Sequence, residues 1–413
     1  MQNETNIIQR FWNFGAVSII CFILMSVTLY VSYCGTVLVV KMYRWQAFNW
    51  APHYLLEGPS HETVPDDEKH LIFVMVDHYE HGTRPESPEK NRKWCDRFRV
   101  ISDKYRDDYD NRFRYTWFYP YDHHVEEIVY DLSRMAFEGY SEVEFHWHIG
   151  TKDEHDMTRE NFSEKTAEAV KWFQQFGAMI TEEEQPRAAF AYIAGVWDLD
   201  ASRSPVSHGL TNQIDAFYKN GCYADFTYST IGTAAQPHKI NSLYYVEDNP
   251  DLPKSHDTGI DVEVGKPVDG KLMVFEGPMS VDWLGHMEYG AIETDPRFHP
   301  DRIPKWLEAN IHVKGRPEWV FVKVYSHGAQ SKKVVLEHDM EWMLQELKNY
   351  TNEHGIKLHF MSTREAFSVV KAAEAGKTGN PEDFRDFYIP KYQNMVREFP
   401  FPESSPKTDV VVE

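Results

Sequence analysis

Two histidines stand two positions apart in the stretch EVEFHWHIG, residues 142–150. In an extended chain, side chains alternate between faces. Glu142, Glu144, His146 and His148 therefore share one face, while Val143, Phe145, Trp147 and Ile149 take the other. Two imidazoles about 7 Å apart along one strand face can close on a single metal ion. A bare H-x-H is also what two surface histidines look like, so the pair needs support from elsewhere. That support comes from the ends of other apolar runs. LIFVMVD, residues 71–77, stops at Asp77 and is followed by His78; a carboxylate there can be a ligand or a general base, and His78 a third ligand. FVKVYSHG places His327 at its end, with Gly328 allowing a tight exit, and a histidine so placed suits a general acid. Trp197 follows YIAGV and offers a ring for stacking on a sugar, and Asp225 lies in YADFT. Taken alone, Asp77 also reads as a turn-capping carboxylate and His327 as a hydrogen-bonded core histidine. His155, between Asp153 and Asp156, is a further candidate; His123, His124, His286 and His338 read as solvated.

These groups need elements that bring them together. The run at 71–77 is apolar throughout, as in a strand covered on both faces. Helical periodicity follows over 125–137 and 164–176, each ending at glycine (Gly139, Gly177). Further strands are expected at 188–197, 222–227, 318–328 and 358–363. Ser362 and Glu365 are spaced as a capping box for a helix over 366–375. Strand–helix alternation on this scale predicts an α/β fold, a parallel barrel or an open doubly wound sheet. In either, the carboxyl ends of the strands form the site. Residues 231–271, rich in Gly, Pro and Asp, read as a long inserted loop.

Composition narrows the function. The 413-residue chain carries a formal net charge of -21, which opposes binding to a phosphate backbone, so no nucleic acid is expected as partner. Aromatic residues make up 15% and suit a large core or a sugar-stacking cleft equally. Four cysteines without a CxxC exclude a disulfide framework and a zinc ribbon. There is no Walker loop, GxGxxG or GxSxG. Residues 11–40 hold no charge, and 14–40 are strongly apolar, long enough to span a bilayer. Glu4 near the start and bulky residues after the run favour an uncleaved anchor over a signal peptide. The expected organisation is a tail (1–13), a transmembrane helix (14–40), a linker (41–68), a catalytic domain (69–390) and a disordered tail (391–413). Lys41 and Arg44 after the span outnumber Arg10 before it by one charge, which leans toward a cytoplasmic domain. The sequons at Asn161 and Asn349 matter only on the opposite side of the membrane.

The order D-H after the first strand, E-x-E-x-H-x-H, AG-W, YADFT and K-x-Y-S-H-G resembles the polysaccharide deacetylase superfamily. It is most similar to the divergent deacetylase-like proteins encoded with bacterial surface-polysaccharide genes. The resemblance covers roughly residues 70–390 and implies a distorted parallel (β/α) barrel that removes acetyl groups from glycans with a divalent metal, zinc before others. It implies Asp77 as base, His78, His146 and His148 as metal ligands, and His327 as acid, with Trp197 and Asp225 toward the substrate. The implied partners are an acetylated polysaccharide or oligosaccharide and polysaccharide-synthesis proteins. Three departures stand out: His78 replaces an aspartate, the histidine spacing is H-x-H rather than H-x-x-x-H, and Ile193 stands where relatives often carry an arginine. The departures leave two rivals, an inactive glycan-binding or scaffold subunit and a glycosidase with paired carboxylates.

Overall fold

The computed structural model describes residues 2–390, apart from 58–59, 151–156, 182–184, 186–187, 205–208, 283–285 and 294–297. The chain opens with α1 (Gln2–Arg44) and α2 (Ala47–Glu57). Strands and helices then alternate: β1 (His70–His78), α3 (Ser87–Lys104), β2 (Tyr115–Pro120), α4 (Glu126–Phe137), β3 (Ser141–Trp147), α5 (Phe162–Gln175), β4 (Phe190–Ala194), α6 (Gln213–Lys219) and β5 (Cys222–Asp225). Five short strands follow: β6 (Leu243–Val246), β7 (Gly259–Asp261), β8 (Met273–Phe275), β9 (Ser280–Val281) and β10 (Met287–Glu288). The remainder is α7 (Arg302–Glu308), β11 (Trp319–Ser326), α8 (Lys332–Val335), α9 (His338–His354), β12 (Lys357–Met361) and α10 (Thr363–Glu374).

This is a mixed α/β fold around one mostly parallel sheet, ordered β11-β1-β2-β3-β4-β5-β8-β6-β7. Pairings from β11 through β8 are parallel, and β6 and β7 add an antiparallel margin. β11 runs along one edge of β1 from His70 to Asp77. The other edge is shared: β12 pairs with His70–Val74 and β2 with Val76–His78. Among the described residues no ladder joins β7 to β11, so the hydrogen bonds do not close a barrel. The sheet nonetheless curls. Phe118 after β2's midpoint lies 6.2 Å from Phe226, Phe226 stacks on Phe275 at 4.3 Å, and Phe275 lies 6.3 Å from Phe321 of β11.

The alternation expected in β1 and β3 sorts side chains as the period of two demands. Leu71, Phe73, Met75, Val143, Phe145 and Trp147 face the outer helices α3–α6 and α9. Ile72, Val74 and Val76 face an inner core with Ala366, Phe367, Val369 and Val370 of α10. The Ser362–Glu365 capping box opens α10 as expected. Its Arg364 is fully buried and reaches Glu142 (3.3 Å) and Glu144 (3.8 Å), so these two carboxylates serve the core rather than the site.

Several expectations change. The linker 41–68 is helical over most of its first half, because α1 extends to Arg44 and α2 follows. Within the apolar helix, the 24-residue stretch Cys21–Arg44 is long enough to cross a bilayer, and none of it is buried by protein. Residues 231–271 hold β6 and β7; β6, with Tyr244 and Tyr245, pairs antiparallel with β8, and β7 pairs with β6. β2 was not anticipated: its run YTWFYP is aromatic and closes on proline, a weak strand signal. The tail 391–413 and His155 lie outside the described residues.

Candidate metal centre

The carboxyl ends of β1, β3 and β11 converge. β3 delivers His146 as its last inward side chain, fully buried, and His148 follows just past the strand end. His146 Nδ1 faces the carbonyl of Ile193 at 2.8 Å. A carbonyl only accepts, so Nδ1 carries the hydrogen and Nε2 presents its lone pair to the site. His148 Nδ1 faces both oxygens of Asp122 (2.9 and 3.1 Å), and Asp122 also accepts from the His148 backbone N–H. Its Nε2 is therefore aimed the same way.

Glu80, two residues past β1, completes the arrangement. Its Oε1 lies 3.2 Å from His146 Nε2 and 3.3 Å from His148 Nε2, and the two Nε2 atoms are 3.3 Å apart. Tetrahedral zinc bonds of about 2.0–2.1 Å separate neighbouring ligand atoms by roughly 3.3 Å. The three atoms therefore form one face of such a tetrahedron, and the donor set fits a divalent ion. The other Glu80 oxygen accepts from Gln330 Nε2 at 2.8 Å, which fixes the carboxylate's rotation.

His78 and His327 stand on the open side of this face. Their rings stack at 4.6 Å, and His78 meets His146 edge-on at 4.9 Å. His78, Glu80 and His327 also place ligand atoms within 4.8 Å of one another, more loosely than the first triangle. Burial, then the neighbouring histidines, push His78 well below the usual imidazole range, so it is neutral. His327 is held by Glu293, whose Oε1 faces Nδ1 at 2.5 Å and whose Oε2 accepts from the His327 backbone N–H at 2.8 Å. Burial works against the charged ring, but the Glu293 bond and charge outweigh it and raise its pKa. His148 is likewise opposed by burial and raised to about 10 by Asp122 and Glu80; a cation bound there displaces that proton.

Asp77 is fully buried beneath this floor. Its Oδ1 accepts from Ser326 Oγ (2.9 Å) and Gly328 N (2.5 Å), the residues on either side of His327. Burial lifts its pKa to about 7, against those hydrogen bonds and the nearby imidazole. Trp197 forms a wall, 6.0 Å from the His78 ring and 6.2 Å from His327. Val196 and Trp197 both have positive φ (47° and 59°), strain stored beside the site. Gly195 allows the approach: a Cβ there would lie 2.5 Å from the Trp147 carbonyl and 2.6 Å from the His148 ring. Asp225 is not brought to this cluster. It is fully buried and bonded twice to Thr227, whose Oγ1 in turn accepts from Ala194 N–H. A cavity of about 470 Å³ lined by Lys239, Asp261, His312 and Lys314 shares no residue with the cluster, and both lysines there already pair with Asp261.

No family model and no curated protein matches this chain. The site is therefore argued from its own residues. Sequence reasoning missed Glu80, Asp122, Glu293 and Gln330, all on loops or, for Asp122, a single 3-10 turn after β2. The dense polar run DHYEHG, residues 77–82, was the one signal that pointed to Glu80.

Proposed function

We propose that this chain is a membrane-anchored, metal-dependent hydrolase that removes acetyl groups from a glycan, with the sheet acting as a distorted barrel of the deacetylase kind. One observation carries the reading: the Glu80–His146–His148 triangle lies beside a further histidine, His327, that a carboxylate holds ready to exchange a proton. A divalent ion bound by Glu80, His146 and His148 supplies a water of lowered pKa and a Lewis acid for an acetyl carbonyl. Ile193 and Asp122 keep both imidazoles in the tautomer that binds it. His327, charged and steered by Glu293, donates from Nε2 to the departing amine or alcohol, so that water and an acetyl glycan become acetate and the free sugar group. The Trp197 ring presents an apolar, stacking surface to a sugar, with neutral, buried His78 packed beside it. Asp77 acts through its grip on Ser326 and Gly328, making it a positioning residue for His327.

The test is acetate release from acetylated amino-sugar oligomers and from an activated acetate ester, at saturating zinc. His327→Ala is expected to lower turnover of the amide by at least about 10²-fold and of the ester much less, because only the poor leaving group needs a proton. Asp77→Asn is expected to cost less than about 10-fold and to move the pH limb set by His327. Equal rates for wild type and His327→Ala on both substrates would remove His327 as the acid, and no acetate from either substrate would leave a glycan-binding scaffold as the better reading.

A further inference from the structure

The carboxyl ends of the parallel strands carry the site, and they also carry the anchor. α2 leaves α1 after a short turn and buries Ala47 and Trp50 against Met279, with Tyr54, Ile231, Ile240, Val281 and Met287 around them. Met279 lies four residues past the carboxyl end of β8 and Ile231 six past that of β5. The turn between the helices is gripped as well: the Trp45 carbonyl accepts from Gly232 N–H at 3.3 Å, and His53 stacks on His238 at 4.5 Å. The segment after α2 then runs back along the domain. Asn310 Nδ2 bonds the carbonyls of Ser60 and Glu62, Glu62 accepts from Gly315 N–H, and the chain enters β1 at His70, at the other end of the sheet.

The site is close by along the chain. Tyr228 Oη donates to the carbonyl of Trp197, the wall of the centre, and Ile231, which packs against the α2 cluster, is three residues further on. Met287 of β10, which packs against the α2 cluster, is six residues before Glu293, which holds His327; even fully extended, that segment reaches no more than about 20 Å. The outer face of α2 remains apolar and open: Phe48 is 59% exposed, Leu55 80% and Leu56 85%. Spaced i, i+7 and i+8, they form one stripe opposite the docked face. An apolar stripe that continues directly from a bilayer-length helix, flanked by Tyr43 and Trp45, fits the headgroup–acyl boundary. With a net charge of -21, the protein gains nothing from anionic headgroups, so apolar insertion drives the contact.

We propose that α2 lies in the lipid interface and holds the mouth of the metal centre toward the bilayer, so that the substrate is a glycan carried on a lipid in that leaflet rather than a free polymer. The substrate class rests on the deacetylase reading; the orientation does not. The test uses the full chain in lipid nanodiscs, with Cys21 and Cys34 replaced by alanine and single labels at Leu56→Cys, Lys333→Cys beyond the His327 turn, and Lys357→Cys at the opposite strand end. The Leu56 label should be relaxed more by oxygen than by a water-soluble nickel chelate, and the Lys333 label should be quenched more by a headgroup fluorophore than the Lys357 label. The reverse order at either comparison overturns the orientation. An acetylated amino-sugar oligomer attached to a lipid in the disc should be deacetylated at least about 10-fold faster than the same oligomer in solution. Leu55→Asp with Leu56→Asp should abolish that preference without slowing the soluble oligomer. Equal or faster release from the soluble form overturns the substrate class. No acetate from either form refutes the deacetylase reading, while the labels still decide how the mouth faces.

Discussion

Replacing Glu80 by glutamine tests which ligands the site uses. The resemblance implies His78 with His146 and His148, whereas the closest triangle of ligand atoms is Glu80 with the same two histidines, at 3.2, 3.3 and 3.3 Å. Glutamine keeps the shape and an oxygen for Gln330, and removes only the charge. Loss of an outer-sphere partner typically costs 10–100-fold in metal affinity, so loss of an anionic ligand atom is expected to exceed about 10²-fold, or roughly 2.7 kcal/mol. His78→Ala, which removes a ring stacked outside that face, is expected to cost less than about 10-fold. Glu80 is only partly buried and contributes nothing to either apolar core, so far-ultraviolet circular dichroism should be unchanged. The assay is competition for zinc against a chromophoric chelator at constant pH, with elemental analysis of the washed protein. Glu80→Gln binding as tightly as wild type, with His78→Ala losing the metal, would refute the geometric argument and restore the ligand set implied by the resemblance.

Three further outcomes are expected. Asp122→Asn frees the His148 ring without touching a ligand atom and should weaken zinc by about 10–100-fold in the same titration. His256 is fully buried, stacked on Tyr228 at 4.7 Å, and burial lowers its pKa to about 4, so the unfolded chain takes its proton first as pH falls from about 6.5. Stability is thus fully present above 6.5 and declines toward pH 4 by about 3 kcal/mol; urea titrations of wild type and His256→Phe at pH 4.5 and 7 should show a smaller decline in the variant. The full-length chain should stay with membranes after a carbonate wash, because Cys21–Arg44 is apolar and unburied; release would show that the helix does not span.

The parts of this fold that were legible in sequence are those where periodicity and burial agree. β1, β3 and β11 are buried on both faces, so their apolar runs stand out, and the groups that follow them do meet. The loops were not legible. Glu80, Asp122 and Glu293 follow no period; each comes after a strand and meets imidazole partners, His146 and His148 for Glu80, His148 for Asp122 and His327 for Glu293. Asp77 and Asp225 misled for a related reason. A carboxylate at a strand end looks aimed at a cleft, but both turn inward to bind buried donors, Ser326 and Gly328 at the end of neighbouring β11 for one and Thr227 in the next turn for the other. Nothing in residue type separates the two outcomes.

The shared edge of β1 bears on how the protein is made. The Ser326–Asp77 bond spans 249 residues and the His70–His359 contact 289, so neither neighbour of β1's first half exists when β1 leaves the ribosome. At about 5–20 residues per second, β11 follows some 12–50 s later, and β12 later still. Throughout that interval the first half of a strand whose residues Leu71 to His78 are all destined for burial waits without either neighbour, behind a long apolar helix. If the apolar helix inserts as a span, insertion precedes assembly of the sheet, and the nascent chain would be held at a membrane surface while the first half of β1 has no partner. Ribosome-bound chains ending before residue 357 should accordingly be cleaved by protease near β1, and chains long enough to expose α10 should not.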